Sequence, residues 1–131
     1  MSILGRKISG KVVAALVAMM VVGALLPVMT NARAREITLV VRNMAFYLDG
    51  DFEHPNPVIE VKAGENVRIV LRNEDRGMTH DFTLPAAGAQ TALLDWQEQA
   101  QATFEAPATP GSYEYVCMPH RSMMKGAIKV Y

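Results

Sequence analysis

From residue 36 onward the chain is a succession of short apolar and alternating runs. Ile37-Thr38-Leu39-Val40-Val41 is rich in β-branched residues and bounded by charged residues and Asn43, the composition of a strand. Val58-Ile59-Glu60-Val61 follows the breaker Pro55-Asn56-Pro57 and ends in the turn Lys62-Ala63-Gly64-Glu65. Between Asn66 and Leu71 the alternation places Val67, Ile69 and Leu71 on one face, which predicts a half-buried strand. His80 to Leu84, Ala102 to Glu105, Tyr113 to Cys117 and Ala127 to Tyr131 are further strand candidates, separated by Pro, Gly, Asn and Asp. The stretch Ala86 to Gln101 shows no clean period, and we read it as a loop with at most one helical turn. Many short strands joined by turns predict a β-sandwich or small barrel.

The first 34 residues follow a different logic. Arg6, Lys7 and Lys11 precede the uncharged apolar run Val12 to Leu26, and Pro27 and Asn31-Ala32-Arg33-Ala34 come after it. A charged start, an apolar stretch and an Ala-x-Ala site are the order of an export signal, so cleavage is expected after Ala34. An uncleaved membrane anchor is the competing reading, because Val12 to Met29 reaches ~18 residues, the lower limit for a span. The expected organisation is a signal at 1–34 and one domain at 35–131. Exported, that domain belongs in a periplasm.

Charge narrows the partners. The formal net charge of zero conceals four basic and no acidic side chains before residue 35, which leaves the remaining chain at net −4. A negative domain lacks the clustered Lys and Arg that phosphate backbones need, so no nucleic-acid partner is expected.

One cysteine in an exported chain cannot close an internal disulfide, so the Cys117 thiol needs other protection. It is either a small buried hydrophobe or a metal-held thiolate. Its surroundings favour the metal: Cys117-Met118-Pro119-His120-Arg121-Ser122-Met123-Met124 gathers thiolate, imidazole and thioether between two strand candidates. That donor mixture suits copper in both of its common oxidation states. A trigonal site needs a second imidazole, which His80 can supply from another strand. His54, in the acidic segment Asp49 to Pro55, is read as part of a solvated loop rather than a second metal site. Tyr113 and Tyr115 alternate with Glu114 and Val116 and are expected to fill the core beneath the site.

These residues resemble the cupredoxins, the small blue-copper proteins of the plastocyanin and amicyanin kind. Cys117-x-x-His120-x-x-Met123 is similar to the short loop of that family, and His80 to its strand-end ligand. Gly111-x-Tyr113-x-Tyr115-x-Cys117, Pro57-x-Ile59-x-Val61-x-x-Gly64-x-x-Val67 and Asn73-x-Asp75 extend the resemblance over nearly all of residues 36–131. It implies an all-β Greek-key sandwich and one type 1 copper ion. The implied ligands are His80, Cys117, His120 and, by loop length, Met123 as the axial thioether, with Met124 as the alternative. Asp81 departs from the Asn often found beside the strand-end His. Alternation puts its side chain opposite that of His80, toward solvent; pointing inward, it would lower the reduction potential.

A closed four-donor site leaves no open position for a substrate, which favours an electron carrier over an enzyme. Three His are too few for the additional copper centre of multicopper oxidases, and one Cys excludes a dinuclear copper loop of the respiratory-oxidase type. The resemblance implies a monomer meeting a redox donor and acceptor in brief complexes near His120. A copper-buffering or copper-delivering module is the alternative, and a zinc-binding structural domain using Cys117, His80 and His120 is a third reading.

Overall fold

The computed structural model describes residues 33–131. The expected export segment lies almost wholly outside them. Among the described residues no helix is long and apolar enough to cross a membrane.

Among the described residues, nine strands form two sheets. Strands β1 (Arg35–Arg42), β2 (Ala45–Leu48), β4 (Asn66–Asn73) and β7 (Gln99–Glu105) make one, in the order β2-β1-β4-β7. The other holds β3 (Val58–Val61), β9 (Lys125–Val130), β8 (Gly111–Val116), β5 (Thr83–Leu84) and β6 (Ala89–Gln90), in the order β3-β9-β8-β5-β6. Parallel pairing joins β1 to β4 and β3 to β9, and the other pairs are antiparallel. Of the two expected architectures the sandwich is the one adopted.

Patterning explains the layers. In β4, Val67, Ile69 and Leu71 are fully buried while the intervening Arg68, Val70 and Arg72 are only partly so. The period of two turns one row of side chains into the core and the other outward. Ile37, Leu39 and Val41 of β1 join that row, and Ile59, Val61, Ile128 and Val130 meet it from the opposite sheet. Phe46, Phe82 and Tyr115 pack together at centroid distances of 5.3 to 6.5 Å. The Tyr115 hydroxyl donates to the Pro57 carbonyl at 2.6 Å, so its one polar group is satisfied where water is excluded.

Two strands escaped the sequence reading. β2 is half of a tight hairpin whose two-residue turn, Asn43-Met44, is left-handed at both positions (φ 48° and 60°). This geometry matches the twist of hairpin strands, although it more often carries Gly. β6 lies inside the stretch read as a loop, after a single 3₁₀ turn at Pro85–Ala87. Conversely, only Thr83–Leu84 of the expected His80–Leu84 strand belongs to the sheet ladder. His80 instead forms an isolated bridge with Leu94.

Candidate metal centre

Two connections supply the donors. After β4 the chain runs through Glu74 to His80, and after β8 it makes a tight turn at Met118–His120 before β9. Both His80 backbone groups are engaged, its N–H donating to Leu94 O at 3.1 Å and its carbonyl accepting from Leu94 N at 2.8 Å. The second connection is equally tied. His120 N–H donates to Cys117 O, Met123 and Met124 N–H both donate to His120 O, and Cys117 N–H closes the loop on Met124 O at 3.0 Å. Pro119 sits early in the 3₁₀ turn, where its missing N–H leaves no bond unmade.

The donor atoms converge. His80, Cys117 and His120 each offer one ligand atom, and these lie within 4.8 Å of one another. Cys117 Sγ is 3.6 Å from Nδ1 of His80 and 3.6 Å from Nδ1 of His120. Metal bonds of about 2.0 Å to imidazole and 2.3 Å to thiolate, spread at roughly 120°, separate sulfur from nitrogen by about 3.7 Å. The observed spacing therefore fits a single ion held by all three. His80 and Cys117 are fully buried, whereas His120 is half-buried and alone among the three reaches the surface.

The two methionines part company. Met124 is fully buried in the same core cluster as Cys117, and Met123 is 61% exposed. Register gives the reason. Val116 pairs with Lys125 and Tyr115 with Gly126, so the next pair outward is Cys117 with Met124. Directly opposed residues of an antiparallel pair point to the same face, which aims Met124 inward beside Cys117 and turns Met123 away. Of the two methionines, the one favoured by loop length, Met123, thus lies at the surface, and the alternative, Met124, is the one buried on the Cys117 side.

Asp81 is also placed differently from expectation. It is 1% exposed, and its carboxylate accepts from Met118 N–H at 2.7 Å, Gln90 Nε2 at 3.1 Å and Thr83 Oγ1 at 3.2 Å. Strict alternation fails because His80, Asp81 and Phe82 are all buried in a segment outside the regular ladder. The carboxylate thereby ties the His80 segment to the residue after Cys117.

A second carboxylate, Asp75, read in the sequence only within the Asn73-x-Asp75 motif and not as a site residue, also reaches the site. Asp75 Oδ2 lies 3.1 Å from Nε2 of His80 and accepts from Met44 N–H at 2.9 Å. His54 remains apart: it is exposed and pairs with Asp51 at 2.9 Å, which lowers the Asp51 carboxyl below its ordinary range.

Burial sets the protonation of the donors. It pushes the Cys117 thiol upward, against hydrogen bonds from the backbone N–H groups of Asp81 and His120. It also lowers His80, with the Asp75 hydrogen bond opposing. Neutral imidazole is the ligand form, and a thiol this deeply buried becomes thiolate when a cation compensates the charge.

A family model described as a cupredoxin-like domain matches residues 12–130. By sequence, no curated protein matches the chain. Among solved structures, reduced auracyanin from the photosynthetic bacterium Roseiflexus castenholzii superposes with a TM-score of 0.60 at 20% identity, over 76% of this chain and 99% of that one. Auracyanin A of Chloroflexus aurantiacus, described as a "blue" copper protein, gives 0.58 at 22% identity over 76% and 100%. Rusticyanin from Thiobacillus ferrooxidans gives 0.56 at 21% over 77% and 79%. At these identities the likeness is one of fold.

Proposed function

Because the chain belongs to the cupredoxin-like family, we propose that it carries single electrons between redox partners at one type 1 copper site formed by His80, Cys117, His120 and Met124. The observation that supports this most is the convergence of Cys117 Sγ on two imidazole nitrogens at 3.6 Å each, with Met124 buried in the same core cluster as Cys117. Sulfur and imidazole together are the donors of blue-copper electron-transfer sites. Copper bound there supplies a one-electron couple between Cu(II) and Cu(I).

The remaining work falls to the protein. Backbone bonds at His80 and across the Cys117–Met124 loop hold the donors in place, so little need move when the charge changes. Burial of Cys117 and His80 excludes water and competing ligands. His120, half-buried, is the natural port, and the exposed Met118 and Met123 beside it offer an apolar rim for a brief, small encounter. The net −4 of residues 35–131 would steer cationic partners at low salt.

Export fits this role. The charged start, apolar run and Ala-x-Ala site of residues 1–34 support a cleaved signal, and β1 begins at Arg35, directly after the expected cleavage point. We therefore place the mature domain, 35–131, in a periplasm.

Voltammetry of the copper-loaded domain tests the reading. A reversible one-electron wave with copper retained through repeated cycles is expected. Loss of the ion on reduction would instead favour a delivery or buffering module.

A further inference from the structure

His80 has two ring nitrogens, and the metal centre uses one. Nδ1 faces Cys117, leaving Nε2 buried and in need of a partner. The partner is Asp75 Oδ2 at 3.1 Å. Nothing in the ligand set requires a carboxylate there, since a backbone carbonyl would satisfy the same N–H.

Three features place this carboxylate. Asn73 is fully buried; its Nδ2 donates to Met78 O and Leu94 O, and its Oδ1 accepts from Asp75 N–H at 2.8 Å. Those bonds fix the backbone of the His80 connection from both ends. The left-handed Asn43-Met44 turn between β1 and β2 presents Met44 N–H to the same Asp75 oxygen that meets His80. Nearby cations are engaged elsewhere: Arg42 and Arg72 pair with Glu74, and Arg76 lies over the Trp96 ring. Among the described residues no Lys or Arg forms an ion pair with Asp75, so its charge is directed at His80.

We propose that Asp75 is a positioning residue that holds His80 as its Nε2–H tautomer, keeps Nδ1 free for the metal, and lowers the reduction potential of the centre. This rests on the electron-carrier reading. A carboxylate hydrogen-bonded to the far nitrogen of a metal-binding imidazole fixes the ring and raises its basicity as a ligand. A more basic ligand and an added negative charge both favour the more highly charged ion. The centre is thereby biased toward Cu(II) and toward giving its electron away.

Asp75→Asn is the informative variant, because the amide oxygen can still accept from Nε2–H while the charge is gone. Partners of this kind change metal affinity about 10- to 100-fold when replaced. A tenfold loss of affinity for Cu(II) relative to Cu(I) corresponds to a rise of about 59 mV in potential. The expected result is a rise of at least this size with the blue absorption retained, and its reversal in Asp75→Glu. In the metal-free wild-type domain, nitrogen-15 NMR of labelled histidine should find His80 protonated at Nε2 and bare at Nδ1. A His80 protonated at Nδ1, or an unchanged potential in a blue Asp75→Asn protein, overturns the proposal. If Asp75→Asn does not fold, the wild-type tautomer decides alone. A wild-type domain that binds copper without a blue band overturns the carrier reading, whereas the tautomer still decides whether Asp75 positions His80.

Discussion

At the scale of single residues, the donors most legible in the sequence were those whose chemistry is rare. A lone Cys117 three residues before His120, with a thioether beyond, has few uses other than a metal site, and the structure brings both together with His80. Loop length does not distinguish Met123 from Met124 by face, whereas strand parity does. Ile128 and Val130 face the core in β9, and counting back by twos reaches Gly126 and Met124. Met124→Leu should shift the potential and the visible spectrum while the domain stays folded, since such a volume-conserving swap costs less than about 1.5 kcal/mol. Met123→Leu, at a 61% exposed position, should change neither; a shift in that variant instead would restore Met123 as the axial donor. Asp75 could not be found from spacing alone, because its approach to His80 depends on how the Asn73 to His80 connection closes and on a hairpin turn far earlier in the chain.

At the scale of elements, regular strands were readable and irregular ones were not. The alternation of β4 predicted its buried face, whereas β2 and β6, of four and two residues, are too short to show a period. The β8–β9 pair carries two tests. Gly126 lies directly opposite Tyr115, and a Cβ there would run into the Tyr115 ring and hydroxyl. Gly126→Ala should therefore cost about 1–3 kcal/mol through overpacking, measured by denaturant unfolding, and Tyr115→Phe in the same background should recover only part of it. Tyr115 itself gives the domain an alkaline limit. Burial raises its phenol well above the ordinary value of 10.0, so the fold favours the neutral form. That contribution is complete below pH 10 and is lost as pH rises beyond it, because the unfolded chain ionises first. Tyr115→Phe should be less stable than wild type at neutral pH, having lost the bond to Pro57 O, yet lose less stability between pH 9 and about pH 11. Parallel pH profiles of the two proteins check this.

At the scale of the whole molecule, two sheets hold the proposed metal donors on connections that are pinned by backbone bonds and that a bound ion would link. His80 comes from the segment after β4, and Cys117, His120 and Met124 from the segment between β8 and β9. An ion bound to the folded chain alone stabilises it by about 2.7 kcal/mol at a free concentration one hundred times its dissociation constant. For a domain of this size each kcal/mol raises the melting temperature by about 4–8 °C. Copper loading should therefore raise it by more than about 10 °C. An equal melting temperature with and without copper would mean that the converged donors do not bind the ion.

The most direct test of the central claim is the visible absorption spectrum of residues 35–131 on addition of Cu(II), then ascorbate, then air or ferricyanide. An intense blue or green thiolate-to-copper band that bleaches on reduction, returns on reoxidation and is absent from Cys117→Ser is the predicted result. Copper binding without that band, or an identical band in Cys117→Ser, would contradict it.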